Sequence, residues 1–322
     1  MTNSVINVVI PIYNGEKYID GLIKTLNSQT FKNFKAIFID DGSTDNSLES
    51  LKSKQELMQF ESLIVHQENK GLPGARNTGI KSADGQWLTF MDCDDLLSPY
   101  YFEYLYKSVT ENNTMVGFCK YMPVIENDKK PINYNSTYTC KVISSEEGMK
   151  AHYTAWIGSW NLIINLKWLL ENNIYFDEKC TYCEDIPFVT ELFEKADKIS
   201  KLENELYIYV LRQGSLIRSP KIEKFMIGID GFLRMADIVE KSNSDSAKAF
   251  SSFGRARYSI ATLKKGAVQL PFNLFSKLCE YVNFKQYKHQ IKNLPSSQRF
   301  AAHLFLFSKR IFFYIVKAFF DN

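Results

Sequence analysis

Along residues 5–100, apolar positions come as short, nearly unbroken runs that alternate with longer stretches of helical spacing. Val5–Ile12 is a run of the length and composition of a buried strand. It meets a turn at Asn14-Gly15, after which Tyr18, Ile19, Leu22, Ile23 and Leu26 predict a helix over Glu16–Gln29. Phe34–Ile39 predicts a second strand ending at Asp40-Asp41-Gly42-Ser43-Thr44-Asp45, where Asp45 or Ser43 can cap a helix carrying Leu48, Leu51 and Leu57. Leu63–Val65 predicts a third strand. Gly71–Asn77 then turns the chain into a helix whose start suits an anion, and Trp87–Met91 predicts the fourth strand.

The pattern is looser beyond that point. Pro99–Asn112 predicts a helix, Met115–Tyr121 a strand, Glu126–Asn135 a polar loop, and Ser144–Glu147 a capping box. Gly158–Trp168 is apolar and aromatic. Glu184-Asp185 precedes a helix whose first turn tolerates Pro187, and Leu206–Leu211 predicts a closing strand. After Pro220 only helical periodicity remains, which predicts a domain of residues 1–219 followed by a helical region of residues 220–322. Strands alternating with helices of this length imply an α/β fold, a mostly parallel sheet with helices on both faces, and such sheets bind ligands beyond the carboxyl ends of their strands. Asp41, Arg76 and Asp92–Asp95 all fall at such ends.

At 322 residues, 45% hydrophobic and 23% charged, the chain has the composition of a globular protein. Its net charge of +3 hides an asymmetry: residues 1–220 carry 22 Lys+Arg against 29 Asp+Glu, and residues 221–322 carry 17 against 7. The basic end therefore seeks an anionic partner. No basic stretch followed by an apolar core opens the sequence, which predicts a cytoplasmic protein. Six scattered cysteines do not make a disulfide framework, and Cys180 with Cys183 lacks a second ligand pair for zinc.

The chemistry concentrates at Asp92-Cys93-Asp94-Asp95. On an extended chain Asp92 and Asp94 point one way and Cys93 points back into the protein. Two carboxylates in one small volume repel, and either a divalent cation or a cationic side chain resolves the conflict. Carboxylate oxygens suit Mg²⁺ or Mn²⁺, with coordination positions left over for phosphate oxygens.

Val9–Asn14, Ile39–Asp45, Gly74–Asn77, Met91–Asp95 and Glu184-Asp185, in this order and spacing, resemble the family 2 glycosyltransferases of bacterial surface polysaccharide synthesis. The resemblance covers residues 5 to about 215. It implies the GT-A fold and inverting transfer from a nucleotide sugar, most often a UDP-sugar, to a glycan or lipid-linked glycan. It also implies a donor half over about 1–98 and an acceptor half over about 99–219. By the resemblance Asp41 accepts a hydrogen bond from the base, Pro11 and Tyr13 border the base pocket, and Arg76 binds the donor. Asp94 and Asp92 hold Mn²⁺ or Mg²⁺, with Asp92 nearer the ribose, and Arg212 closes over the phosphates. Asp185 is the catalytic base, Glu184 orients it or binds acceptor, and Trp160 lies on the acceptor side. One departure is Leu162, where many relatives carry a lysine.

A phosphohydrolase of the haloacid dehalogenase kind also uses Asp-x-Asp, but on its first strand and followed by a Thr absent here. A catalytically silent nucleotide-sugar-binding or membrane scaffold protein of the same fold is the alternative function. In the tail, Arg299, His303, Arg310, Lys317 and Asp321 fall within about 40° on one helix over 299–320. That predicts an amphipathic helix on an anionic membrane, placing the protein peripherally on the cytoplasmic face of the plasma membrane. Lys309, Arg310 and Lys317 argue against a spanning helix. No nucleic-acid recognition motif is present.

Overall fold

The computed structural model describes residues 4–126, 134, 136–154, 157–180, 184–212, 222–241 and 254–320. The chain forms two compact units, Met1–Thr181 with Glu191–Arg212 and Tyr182–Thr190 with Gln213–Asn322.

In the first unit the strands β1 (Ile6–Ile12), β2 (Phe34–Asp41), β3 (Glu61–Gln67) and β4 (Trp87–Phe90) are joined through helices α1 (Ile19–Asn27), α2 (Ser47–Ser53) and α3 (Gly71–Ser82). They pair in parallel in the order β3-β2-β1-β4. Every residue of β1, β2 and β4 is buried, as their apolar sequences require of strands covered on both faces. Strand β3 lies at the edge, and its residues are half-buried or exposed. The second half of the sheet is mixed. After β5 (Leu96–Leu97) and α4 (Tyr101–Asn112) come β6 (Val116–Ile125), β7 (Cys140–Ser144), α5 (Ser145–Thr154), β8 (Leu162–Asn165), α6 (Leu166–Glu171), α7 (Asp185–Lys195), whose residues up to Thr190 belong to the second unit, and β9 (Lys198–Leu211). Strand β6 is parallel to β9, whereas β8 runs antiparallel to β4 and β6, and β5 and β7 antiparallel to β9.

Several boundaries differ from the sequence reading. The first helix begins as a 3-10 turn at Glu16–Tyr18. Helix α2 stops at Ser53, leaving Leu57 in a separate turn and 61% exposed. Strand β6 runs past Tyr121 through Pro123. Since β8 pairs with β6 only over Val116–Phe118, the outer part of β6 pairs with β9 alone, where a proline can be carried. The capping box forms reciprocally: the Ser144 N–H donates to Glu147 Oε2 at 3.0 Å, and the Glu147 N–H to Ser144 Oγ at 3.2 Å. Residues 127–133, Asn135, Cys183 and Pro220 lie outside the described residues, and with them most of the polar loop, half of the cysteine pair and the expected boundary.

In the second unit, α8 (Ile222–Lys241), α9 (Gly254–Gln269), α10 (Phe272–Val282), α11 (Ser296–Phe307) and α12 (Lys309–Phe320) accompany a 3-10 segment at Phe284–Asn293. Ile260, Leu263, Phe275, Leu278, Phe305 and Phe312 belong to its core. The single helix expected over 299–320 is two helices. Ser308 is extended, with φ −157° and ψ 115°, and its Oγ accepts the Ile311 N–H at 3.3 Å, which caps α12. The break resets the helical phase, so the stripe drawn through Arg299 and Arg310 does not exist.

Glu203 ties three strands together. It meets Lys120 of β6 at 2.7 Å and Lys141 of β7 at 2.8 Å, and these partners pull its carboxyl from 4.5 down to about 2. A lowered acid stabilises the folded state above its unfolded pKa and loses that contribution as pH falls through the folded one. Glu203→Gln is therefore expected to cost about 1 kcal/mol at neutral pH once solvent screening is allowed for. The gap between wild type and variant, measured by urea unfolding, closes as pH falls from 4.5 toward 2. A gap independent of pH would refute the bridge.

Candidate active site

The loops at the carboxyl ends of β1 and β2 are knitted together by Asn14, which sits at φ 52°. Its Oδ1 accepts the N–H groups of Thr44 and Asp45 at 2.8 and 3.3 Å, and its own N–H donates to Ser43 Oγ at 3.0 Å. Beside this knot Tyr13 is 54% exposed, so its ring is open to a partner, while Pro11 is buried in β1. Asp41 is buried at the end of β2, and one of its oxygens takes two donors, Gln67 Nε2 at 2.6 Å and the Lys70 N–H at 2.8 Å. Both bonds go to Oδ1, which fixes the carboxylate and leaves Oδ2 for another donor.

Helix α3 delivers Arg76. The helix lies directly on β1, because a Cβ on Gly79 would stand 2.1 Å from Val9 Cγ1. Arg76 is 2% exposed, its Nη2 donates to Asp92 Oδ1 at 2.9 Å, and its guanidinium lies 5.3 Å over the ring of Phe176. Phe176 is positioned by the neighbouring helix residue, since Asn77 bonds both its N–H and its carbonyl at 2.9 Å.

The acidic segment itself is a turn, not extended strand: β4 ends at Phe90, and the Asp95 N–H bonds the Asp92 carbonyl at 3.2 Å. Strand alternation is thus not what gathers the carboxylates. Cys93 does pack against the apolar core, and burial pushes its thiol far up. Asp94 Oδ2 accepts from Arg212 Nη1 at 2.8 Å. The same guanidinium meets Glu126 at 3.2 Å and lies 4.8 Å over the Tyr18 ring. Burial and then the charge of Asp92 hold the Asp94 carboxyl above the usual range, against the pull of Arg212. Asp95 is a brace: buried, it accepts from the Tyr207 hydroxyl and the Val210 N–H, both at 2.8 Å. Burial, then Asp92 and Asp94, hold it well above the ordinary carboxylate value.

Trp160 is 3% exposed, so its ring is not an open platform. It stacks on Tyr209 with centroids 5.7 Å apart and leans on Tyr207 at 4.5 Å. Leu162 is fully buried in β8, an apolar slot that explains why no lysine stands there. Glu184 and Asp185 are both buried, and Asp185 is the first residue of α7, where the helix dipole favours a carboxylate.

This arrangement meets known proteins at a definite point. The family model for Glycosyl transferase family 2 matches residues 7–164. GlyG of Streptococcus pneumoniae, a glycosyltransferase, is 30% identical over 67% of this chain and 74% of its own length. The chain belongs to glycosyl transferase family 2. The uncharacterized glycosyltransferase EpsJ of Bacillus subtilis is also 30% identical over 67% of the chain, although the match spans only 63% of EpsJ. In overall fold the chain is similar to S. aureus TarS 1–349, solved with UDP-GlcNAc, with a TM-score of 0.65, 20% identity, and coverage of 97% of this chain and 90% of that one. The likeness fixes the GT-A fold followed by a helical region.

Gln67 and Tyr207 have no local signal in the sequence, and Asn77 stands there only as the end of the Gly74–Asn77 motif, with no role of its own. Gln67 faces Asp41 across the β2–β3 register, two residues beyond Val65, where the apolar run that predicts the third strand stops. Tyr207 both donates to Asp95 and accepts the Asp92 N–H at 3.2 Å. Tyr207→Phe is expected to destabilise the protein by about 1–3 kcal/mol, because a buried carboxylate oxygen loses its donor. An unchanged urea midpoint would show that the hydroxyl is not the brace.

Proposed function

We propose that the protein is a metal-dependent, inverting glycosyltransferase. It moves a sugar from a UDP-sugar to a hydroxyl of a glycan or lipid-linked glycan in bacterial surface polysaccharide synthesis, on the cytoplasmic face of the membrane. The observation that carries this reading is the pair Asp92 and Asp94, crowded together at the end of β4 with one arginine on each. The UDP-GlcNAc bound to TarS supports a UDP-linked donor. Residues 1–98 would hold the donor, 99–219 the acceptor, and 220–322 form the accessory helical region.

The donor set fits a hard divalent cation. Burial and then the charge of Asp92 hold Asp94 above its usual range despite Arg212, and a cation at the pair would favour its ionised form. Among the described residues no three His, Cys, Asp or Glu side chains form a complete cage, which suits a cation that also takes phosphate oxygens and water. Asp94, with Asp92, would hold Mn²⁺ or Mg²⁺. When bound, that ion supplies Lewis-acid stabilisation of the departing diphosphate.

The chain's own groups do the rest. Asp41, fixed by Gln67 and Lys70, turns Oδ2 to the base, and Tyr13 lies against the base beside Pro11. Arg76 and Arg212 bring two positive charges to the diphosphate. Asp185, oriented by Glu184, takes the proton from the acceptor hydroxyl as that oxygen attacks the anomeric carbon from the face opposite the leaving group. The buried Trp160 serves the acceptor side indirectly, by fixing Tyr209.

Asp94→Ala is expected to abolish Mn²⁺-dependent donor binding, and an unchanged calorimetric titration with UDP and Mn²⁺ would sink the metal assignment. Asp185→Asn keeps the shape and removes the base, so donor binding should persist while turnover falls by roughly 10² or more. Turnover near that of the wild type would put the base elsewhere.

A further inference from the structure

Helix α12 is apolar on both of its faces. Phe312, Phe313 and Val316 are buried in the core of the helical unit and account for one. On the other, Ile311, Tyr314, Ile315, Ala318 and Phe319 fall within an arc of about 140°. That arc is open: Ile311 is 43% exposed, Tyr314 60%, Ile315 36% and Phe319 77%, and none of them joins the apolar cluster beneath. Phe307, just before the helix, is 79% exposed. A contiguous apolar face of this kind is unfavourable in water and marks a surface that is covered in use.

Its border is cationic. Arg310 and Lys317 lie about 20° apart along one edge of the arc. The Arg310 guanidinium sits 5.5 Å over the ring of Phe272, which itself lies parallel to Tyr314, and Lys317 sits 5.5 Å over Phe313. Lys309–Phe320 contains no acidic residue, and from residue 246 onward thirteen Lys and Arg face only Glu280 and Asp321.

We propose that this face of α12 is the protein's contact with an anionic lipid surface. The helix lies in the plane of the interface, with its apolar arc below the headgroups and Arg310 and Lys317 at the lipid phosphates. The inference deepens the peripheral location given above and rests on that reading only for which membrane is met. Twelve residues span about 18 Å, short of the ~30 Å hydrocarbon core, and among the described residues no helix is long and apolar enough to cross a membrane. A second copy is the poorer occupant, since a two-fold contact would set the cationic edge against its own like-charged counterparts. An anionic membrane complements that edge.

The test is flotation of the full-length protein with phosphatidylglycerol vesicles and with phosphatidylcholine vesicles, at low and high salt. Wild type is expected to float with phosphatidylglycerol at low salt and to stay down with phosphatidylcholine. Ile311→Ser with Phe319→Ser should weaken vesicle binding at least about tenfold, and Arg310→Glu with Lys317→Glu by a similar factor. Thermal unfolding followed by circular dichroism should stay unchanged for the first pair, which lies outside the core. Failure of wild type to float with phosphatidylglycerol, or equal flotation by both variants, would overturn the proposal. So would a wild-type dimer in sedimentation equilibrium that the Ser variant dissolves without any vesicle binding, because a second copy would then cover the face. A protein that floats as described but transfers no sugar supports the surface and removes the catalytic reading instead.

Discussion

Three carboxylates within four residues, at the end of a strand buried on both faces, form the constraint on which the site depends. Like charges this close raise one another's cost of ionisation, and each here is answered differently. Asp92 has the buried Arg76, Asp94 has Arg212, and Asp95 has a hydroxyl and a backbone N–H. Burial, and then the charge of Asp92, keep the Asp94 carboxyl above its ordinary range even beside Arg212. In the function proposed above, a divalent cation would relieve that crowding without a finished cage of protein ligands. That openness is what is needed where the remaining ligands arrive with a substrate.

The scaffold exists to bring the compensating groups to that point. Arg76 reaches Asp92 because α3 lies against β1 with no side chain on Gly79 between them. Arg212 reaches Asp94 because β9 runs the length of β6 and pairs with β5, which sets Tyr207, Val210 and then Arg212 along the acidic turn. Asp41 is fixed by a similar close approach: Gly42, at φ 71°, lets the loop after β2 pack so tightly on Asn69, beside Lys70, that a Cβ there would stand 2.9 Å from the Asn69 backbone nitrogen. Any larger residue there would be strained by its backbone as well as by the contact.

The parallel half of the sheet was legible in the sequence because buried parallel strands are unbroken apolar runs, and β1, β2 and β4 are that kind of segment. The acidic positions at the ends of β2 and β4 were legible for the same reason, since a strand end can be read by where its run stops. What could not be read was pairing. The antiparallel strand β8, the two-residue β5 and the length of β9 depend on partners far away in sequence, and Gln67 and Tyr207 act only through those partners. The geometry at Asp92–Asp95 was misread as strand because apolar periodicity does not reveal a turn made by backbone bonding within the acidic run itself.

The helical region shows the converse limit. Its charge imbalance is additive and is read from composition alone, whereas the faces of its helices depend on phase, and phase is lost at one residue. Ser308 adopts an extended backbone and caps the next helix with its own hydroxyl, so α11 and α12 each choose independently which side to bury. Helix α11 buries Ala301, Ala302 and Phe305, and α12 buries Phe312, Phe313 and Val316. With twelve residues in α12 and five of them large and apolar beyond those three, more hydrophobic surface is present than one core face can take up. The excess must lie outward, and the cations that border it follow from the same short sequence.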